Sequence, residues 1–239
     1  MKNILLLGAT GSIGDSALDV IFQNPESLNL YGMAFNSNID KALDIANKFF
    51  PDYAYIENSN HQKTLIEKVH AKTEILSGKD ELHNLLNDPK VDVIISAISG
   101  FSGLETTLMA AKTGKTILLA NKESIVVAGD IILPLAKEFN TNVIPIDSEH
   151  NAIFQCLVGE RAKEDVSKII ITASGGPFIN KSLDELEMVT KEQALKHPNW
   201  EMGSKISIDS ATLVNKCLEL IEAKYLFDLN EKFFKLVVH

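Results

Sequence analysis

Two acidic side chains lie close together at the end of a predicted strand. The segment "PIDSEHNA" places Asp147 and Glu149 two residues apart. In an extended backbone, side chains at i and i+2 point to the same side, where two carboxylates repel each other unless a cation lies between them. The segment also fits a capped helix start, with Asp147 or Ser148 as the cap and Glu149 near the positive end of the helix dipole. Alone, it leaves a metal site and a helix cap equally open.

A second polar set interrupts a helix-like run, "SATLVNKCLELIEA". At about 100° per residue, a helix from near Ser210 has one apolar stripe, which we expect to face the core. The residues of this stripe are Val214, Cys217, Leu218, Ile221 and Tyr225. Asn215, Lys216 and Glu219 fall on its flank and back, so packing does not require them.

Two interpretations of this polar set remain open. In the first interpretation, the set is a solvated surface on which Lys216 and Glu219 are weakly paired at i, i+3. Alternatively, Ser210, Asn215 and Lys216 donate to a phosphate while Glu219 reaches a metal ion. From Asn215 to Glu219 the helix rises by roughly 6 Å, which matches a small sugar phosphate with metal-binding oxygens at its far end.

Two loops could complete such a site. In "TASGGPF", Ser174 lies on a glycine turn that can present a hydroxyl and backbone N–H groups to an anion. In "HPNWEMG", which begins at His197, a proline prevents helix continuation and Gly203 offers a hinge. Trp200, beside Met202, either anchors this loop in the core or closes over a substrate as a lid.

A glycine-rich turn follows the first predicted strand. "LLLGATGSIG" places Gly8, Gly11 and Gly14 at the mouth of a predicted helix, where free N–H groups attract a pyrophosphate. The alternative is a turn that binds nothing, but five strand–helix units favour a dinucleotide site. After the second strand, the neutral turn Asn36–Asn38 has no carboxylate for the ribose hydroxyls of NAD, which favours NADP, although no basic residue is present either.

The elements that must position these residues change character along the chain. Residues 1–142 alternate short aliphatic strands with helices, which predicts an α/β fold with a Rossmann-like doubly wound parallel sheet. Residues 143–239 lose this rhythm and predict an α+β catalytic domain. The last segment, "EKFFKLVVH", is an apolar strand without an evident pairing partner, so we expect a further C-terminal portion.

Composition excludes several classes of partner. The 239 residues are 45% hydrophobic and carry a net charge of -9 without a dense basic run, which argues against nucleic acid. Apolar runs such as "VDVIISAIS" are shorter than the roughly 20 residues that cross a bilayer, so no membrane partner is expected and the location is predicted to be cytoplasmic. Cys156 and Cys217 lie in apolar, helix-like segments and are predicted to be reduced core thiols.

The motifs together resemble one enzyme family. "GATGSIG", "LANKES", "DSEHNAIFQ", "TASGGPF", "HPNWEMG" and "KISIDSATLVNK" occur in the order found in 1-deoxy-D-xylulose 5-phosphate reductoisomerases, and they cover nearly the whole chain. The resemblance implies an NADP-dependent oxidoreductase of the non-mevalonate isoprenoid pathway that binds a sugar phosphate and forms a homodimer. It also implies rearrangement of 1-deoxy-D-xylulose 5-phosphate to an aldehyde and reduction by NADPH to 2-C-methyl-D-erythritol 4-phosphate. Family members continue into a C-terminal helical domain that this sequence lacks.

The resemblance also implies roles for individual residues. Asp147, Glu149 and Glu219 would hold Mg²⁺ or Mn²⁺, an all-oxygen ligand set for a hard cation; with Lys122 they form the catalytic set. The substrate would contact Lys122, Ser148, Glu149, Ser174, His197, Trp200, Met202, Ser210, Asn215, Lys216 and Glu219. The NADPH contacts would be Gly8, Thr10, Gly11, Ser12, Ile13, Asn36, Ser37, Asn38, Asn121, Glu123 and Gly203.

One departure from the family and two alternatives remain. Many members carry a basic residue in a "GKN"-like turn where this chain has "FNSN". Semialdehyde dehydrogenases share the "GATG" turn but need a nucleophilic cysteine in a polar setting, which neither Cys156 nor Cys217 offers. A nucleotide-sensing protein without catalysis would bind the cofactor and show no effect of divalent metal.

Overall fold

The protein is described by a computed structural model that covers residues 1–157, 165–197 and 203–238. The chain divides into two compact units, Met1–Ile146 and Asp147–His239.

A seven-stranded parallel sheet forms the centre of the first unit, in the order β4-β3-β2-β1-β5-β6-β7. The strands are β1 (Lys2–Leu7), β2 (Leu28–Phe35), β3 (Tyr53–Ile56), β4 (Glu74–Leu76), β5 (Val93–Ser96), β6 (Thr116–Leu119) and β7 (Asn142–Pro145). Strand order reverses beside β1, and ligands of such sheets bind outside the carboxyl ends of the strands at this point. The predicted α/β class is confirmed.

Helices connect these strands. They are α1 (Ser12–Gln23), α2 (Ile39–Phe49), α3 (Gln62–Lys68), α4 (Lys79–Asn87), α5 (Leu104–Ala110) and α6 (Lys122–Glu138). Leu5, Leu6 and Leu7 of β1 are all fully buried. A continuous apolar run of this kind, rather than an alternating one, is typical of a parallel strand that is covered on both faces.

The sequence pattern does not predict β4 or α4. The strand has only three residues, and the helix contributes only Leu82, Leu85 and Leu86 to the interior. Such a short strand gives too little periodicity to be recognised. The strand β7 is predicted to open the second region, but it pairs with β6 at the sheet edge. The structural division therefore falls after Ile146 rather than after residue 142.

The second unit contains five helices and two strands among its described residues. They are α7 (Ser148–Cys156), β8 (Ile169–Ala173), α8 (Leu183–Leu186), α9 (Lys191–Ala194), α10 (Ser204–Ala211), α11 (Val214–Phe227) and β9 (Phe234–Val238). The strand β9, which the sequence leaves without a partner, pairs in parallel with β8. The buried apolar cluster of this unit consists of Ile153, Ile169, Ile171, Ala223, Phe227 and Leu229.

The helix that carries the polar set differs from its prediction. Leu213 has left-handed backbone angles (φ 61°, ψ 5°) and separates α10 from α11. The predicted apolar stripe does not face the core, because Val214, Cys217 and Ile221 are exposed. The buried residues of α11 are Lys216, Glu219, Glu222, Ala223 and Phe227. The inner face of α11 is therefore polar near its start and apolar near its end.

Two further sequence expectations meet a direct test. Cys156 and Cys217 are free thiols, but both are exposed, so the prediction of core thiols is wrong. Each lies on a helix whose inner face is filled by other residues. No helix in the described ranges is both long and apolar enough to traverse a bilayer.

Candidate active site

Three carboxylates from two helices of the second unit converge. Asp147 immediately precedes α7, Glu149 lies in its first turn, and Glu219 lies in the second turn of α11. One carboxylate oxygen from each lies within 4.8 Å of the other two. Glu219 is 1% exposed, while Asp147 and Glu149 are partly exposed at 15% and 27%.

Asp147 occupies the N-cap position of α7, but its side chain makes no capping hydrogen bond. Its Oδ1 instead lies 3.0 Å from Nδ1 of His150, a side chain with no exposure to solvent. The other nitrogen of this ring, Nε2, donates to the backbone carbonyl of Glu219 at 2.9 Å. His150 therefore connects the side chain of one converging acid to the backbone of another.

Donors surround the two glutamates. Lys216 Nζ donates to Glu149 Oε1 at 2.7 Å and to Glu219 Oε2 at 2.5 Å. Asn215 Nδ2 donates to Glu219 Oε1 at 2.5 Å, and Ser148 Oγ donates to Glu149 Oε2 at 2.5 Å. Three side chains assigned to the substrate from the sequence thus lie against residues assigned to the metal.

The electrostatic environment favours the charged form of each group. Burial alone would raise the pKa of Glu149, but hydrogen bonds from Lys216 and Ser148 hold it below its usual value. Burial opposes the charge on Lys216, but the two glutamates raise its pKa. Burial likewise opposes protonation of His150, but Asp147, the Glu222 carboxylate and the Glu219 carbonyl raise its pKa overall.

This cluster suits a divalent cation. Its four carboxyl groups, from Asp147, Glu149, Glu219 and Glu222, outnumber its two basic groups, the Lys216 ammonium and the His150 imidazole. The three converging acids offer only oxygen, which is the donor type that Mg²⁺ and Mn²⁺ prefer. The residues present therefore fit a hard divalent metal ion.

A second group of predicted residues surrounds the glycine turn after β8. Ser174 Oγ lies 3.1 Å from Nε2 of His197 and accepts a hydrogen bond from the backbone N–H of Gly176. Gly176 has a positive φ of 69°, and a Cβ there would lie 2.7 Å from the carbonyl oxygen of Ser210. The turn thus packs against the end of α10. It brings Ser174, His197 and Ser210 into one neighbourhood with backbone N–H groups.

The loop between α9 and α10 is only partly described. Trp200 and Met202, both assigned to a substrate lid, lie outside the described residues. Gly203, assigned to the cofactor, is exposed and immediately precedes α10 at the N-cap position, where its carbonyl accepts hydrogen bonds from the backbone and side chain of Ser207.

In the first unit, the glycine turn between β1 and α1 is tightly packed. Gly8 has a φ of 86°, and a Cβ there would lie 2.6 Å from the carbonyl oxygen of Ala97. At Gly14 a Cβ would lie 2.4 Å from the carbonyl oxygen of Ala9. The start of α1 has no side-chain cap among the described residues, so its N–H groups can serve an anion.

A cavity of about 320 Å³ adjoins this turn. Four predicted cofactor contacts line it, namely Gly8, Thr10, Gly11 and Asn36. Ser12 and Ile13 follow in the first turn of α1. The lining of the cavity also includes residues that the sequence did not predict as cofactor contacts, namely Tyr55, Glu57, Lys79, Ser99, Ser102 and Glu105. A cavity at the carboxyl ends of β1, β2 and β5 is where a doubly wound sheet binds a nucleotide.

The remaining predicted cofactor residues lie at two helix starts. Ser37 and Asn38 are exposed, and the Asn38 side chain caps α2 by accepting from the N–H of Lys41. Asn121 caps α6 and donates to the carbonyls of Ile98 and Gly100, so its amide fixes the loop after β5.

Lys122 and Glu123 form the first turn of α6, outside the lining of the cavity. Lys122 is only 6% exposed and Glu123 is half-buried. Glu123, a predicted cofactor contact, lies in the first unit with the other cofactor residues before Gly203. Lys122 also lies in the first unit, whereas the other predicted substrate residues that the structure describes lie in the second.

Comparison with sequence families identifies relatives over most of the chain. The family model described as "1-deoxy-D-xylulose 5-phosphate reductoisomerase" matches residues 4–129, and the model of the "1-deoxy-D-xylulose 5-phosphate reductoisomerase C-terminal domain" matches residues 143–227. The reductoisomerase of Clostridium tetani is 49% identical over 242 aligned positions, and that of Bacteroides fragilis is 44% identical over 239.

Solved structures agree with this result. A crystal structure of DOX-P reductoisomerase in complex with NADPH, fosmidomycin and magnesium superposes with a TM-score of 0.92 at 43% identity. The enzyme from Zymomonas mobilis in complex with NADPH superposes with a TM-score of 0.89 at 42% identity. These alignments cover 100% and 99% of this chain, and 61% of each solved chain. The chain likewise spans 63% of the length of the Clostridium tetani relative.

Proposed function

Because the chain belongs to the 1-deoxy-D-xylulose 5-phosphate reductoisomerase family, we propose that the protein converts 1-deoxy-D-xylulose 5-phosphate to 2-C-methyl-D-erythritol 4-phosphate in isoprenoid precursor synthesis. NADPH is the proposed reductant, and Mg²⁺ or Mn²⁺ the proposed metal. The observation that carries this proposal is the convergence of Asp147, Glu149 and Glu219 within 4.8 Å. A relative bound to NADPH, fosmidomycin and magnesium supports both cofactors.

The three carboxylates are the proposed metal ligands. A metal ion held there supplies Lewis-acid stabilisation of negative charge on substrate oxygens. Lys216 donates to both glutamates and carries a positive charge that can stabilise charge developing on the substrate. His150 fixes Asp147 from the side opposite to solvent. The site is thus a set of prearranged charges that need little reorganisation during the reaction.

The glycine turn after β8 is the proposed phosphate site. Ser174 and His197 are already joined by a hydrogen bond, and Gly175 and Gly176 adopt positive φ angles of the kind found in turns whose backbone N–H groups bind anions. Ser210 lies beside this turn. A phosphate held here, away from the reacting carbons, supplies binding energy that orients the substrate.

The cavity beside β1 is the proposed nucleotide site. Gly8 and Gly11 allow the backbone to approach a pyrophosphate, and the start of α1 offers N–H donors to it. NADPH supplies the hydride for the reduction. The proposed location is the cytoplasm. The proposed assembly is a homodimer, which sedimentation analysis of the purified protein would measure.

The function is tested by following NADPH oxidation with 1-deoxy-D-xylulose 5-phosphate, with and without Mn²⁺. We expect turnover only with metal. Glu219→Gln should lose metal-dependent turnover and retain NADPH binding, because an amide is a poor ligand for a hard cation. Glu187→Gln removes an exposed carboxylate of the same unit and should leave turnover unchanged. Absence of turnover in the full-length wild-type protein would refute the reaction, and full turnover in Glu219→Gln would refute the site.

A further inference from the structure

A buried carboxylate lies behind the three proposed metal ligands and has no role in the proposed chemistry. Glu222 is one turn beyond Glu219 on α11, and its side chain is completely buried. Its Oε2 lies 3.5 Å from Nδ1 of His150, whose side chain is also completely buried. A carboxylate is costly to bury unless a positive or hydrogen-bonding partner compensates for lost hydration. Its position against His150 therefore calls for a structural reason.

His150 itself is held at both ring nitrogens. Nδ1 lies 3.0 Å from Asp147 Oδ1, and Nε2 donates to the carbonyl of Glu219 at 2.9 Å. The ring lies parallel to that of Phe227, with an angle of 9° between the planes. These contacts hold the imidazole in one orientation. In this orientation each ring nitrogen contacts a proposed metal ligand, namely the side chain of Asp147 and the backbone of Glu219.

The order of contacts forms a chain from the interior to the site. Glu222 faces Nδ1 from the buried side, and Asp147 faces the same nitrogen from the partly exposed side. Glu222 does not belong to the group of carboxylates that lie within 4.8 Å of one another. It is therefore placed to act on the ligand arrangement through His150. Partners behind metal ligands commonly change metal affinity by 10- to 100-fold when they are removed.

We propose that Glu222 is a positioning residue that, through His150, holds the Asp147 carboxylate in the orientation shared with Glu149 and Glu219. This inference rests on the proposed metal site. Glu222 touches neither the metal nor the substrate, and its contribution appears as metal affinity. Nucleotide affinity in the first unit does not depend on it.

The test measures Mn²⁺ binding to the full-length protein by the loss of the free-Mn²⁺ electron paramagnetic resonance signal. Glu222→Gln keeps the side-chain volume and removes the charge, and it should raise the Mn²⁺ dissociation constant by about 10-fold or more. Its turnover should approach that of the wild type at saturating Mn²⁺, and its NADPH affinity should be unchanged. Ile171→Val trims the apolar cluster of the same unit and should leave Mn²⁺ affinity unchanged even if the melting temperature falls.

A double-mutant cycle identifies the route of the effect. His150→Gln should also weaken Mn²⁺ binding, and the double variant should bind no more weakly than His150→Gln alone, because Glu222 acts through the ring. Glu222→Asp retains the negative charge but moves it one methylene further from His150, so it should give a smaller rise in the Mn²⁺ dissociation constant. This variant replaces Glu222→Gln in the test if Glu222→Gln does not fold.

Three results would overturn the proposal. The first is wild-type Mn²⁺ affinity in the Glu222 variants. The second is a loss of Mn²⁺ affinity in the double variant equal to the sum of the two single losses, which would make Glu222 an independent ligand. The third is an equal loss of Mn²⁺ affinity in Ile171→Val. Failure of the proposed function gives a different pattern, in which the wild type binds no Mn²⁺ or Glu219→Gln binds it normally.

Discussion

The choice between the two nicotinamide cofactors depends on a few side chains after β2. Asn36 lines the proposed nucleotide cavity, and the next residues, Ser37 and Asn38, are exposed and neutral. Lys41, in the first turn of α2, pairs with Asp15 at 2.7 Å. The turn itself therefore offers hydroxyl and amide donors to the 2′-phosphate of NADPH, but it offers no cationic side chain.

A single substitution should strengthen the preference for NADPH. Ser37→Lys adds a charge-assisted hydrogen bond to the 2′-phosphate, worth about 1.5 kcal/mol or more, so the ratio of the NADH to the NADPH dissociation constant should rise about 10-fold. Fluorescence titration with both nucleotides measures this ratio. Ser27→Lys makes the same change in net charge at the opposite end of β2 and is the control. An unchanged ratio in Ser37→Lys, or an equal rise in both variants, would contradict this account.

Sequence spacing predicts much of the candidate site at this scale. Asp147 and Glu149 at i, i+2, and the polar set from Ser210 to Glu219, are compatible with metal and phosphate chemistry, but the spacing alone leaves a helix cap and a solvated surface equally open. Glu149 lies in the first turn of α7, so the extended backbone that the i, i+2 argument assumes is not what brings the two carboxylates together. The spacing does not assign roles to His150 and Glu222, which look like ordinary helix residues. The helical spacing places Glu219 and Glu222 on the same face as Phe227, which could have indicated that both acids are buried. Only the burial seen in the structure, however, distinguishes that face from a solvated one.

The start of α11 is determined by one backbone conformation. Leu213, at 45% exposure, has a φ of 61°, and its carbonyl accepts from the N–H groups of Lys216 and Cys217. A left-handed conformation costs a non-glycine residue about 1–2 kcal/mol. This cost is offset because the break lets α11 direct Lys216 and Glu219 inward. In a continuous helix from Ser204, these two side chains would point in a different direction.

The identity of the residue at this break should affect stability in a defined order. Leu213→Asn should raise the free energy of unfolding by up to about 1 kcal/mol, because asparagine tolerates left-handed angles. Leu213→Val should lower it by about 1 kcal/mol or more, because a β-branched residue does not tolerate them. Urea denaturation measures both. Ile221→Val, on the exposed side of α11, should change it by less than about 0.5 kcal/mol. Equal effects of the Asn and Val substitutions would show that the break carries no strain.

Elements with strong periodicity follow from the sequence, and weak ones do not. The bounds of β2 (Leu28–Phe35) and α2 (Ile39–Phe49) match the apolar pattern because each buries a regular set of side chains. The three-residue strand β4 does not produce such a pattern. The orientation of α11 is predicted wrongly because the periodicity of its apolar residues is read as burial, whereas its packing partner α7 presents Asp147, Glu149 and His150.

At the scale of the whole molecule, the chemistry is divided between two units. The first contains the sheet and the proposed nucleotide cavity, and the second contains the three converging carboxylates and the proposed phosphate turn. The sequence predicts this division from the loss of the βαβ rhythm, although the sheet continues through β7. Asp147 and Glu149 are neighbours in sequence, but Glu219 lies 70 positions after Glu149, so only the fold brings the three carboxylates together.

The central claim is that Asp147, Glu149 and Glu219 hold one divalent cation. Anomalous diffraction at the manganese absorption edge, from crystals of the protein grown with Mn²⁺, tests it most directly. We predict one anomalous peak bonded to a carboxylate oxygen of each residue at about 2 Å, the length expected for a hard divalent cation. A peak bonded to other residues, or no peak at a Mn²⁺ concentration that saturates turnover, would contradict the claim.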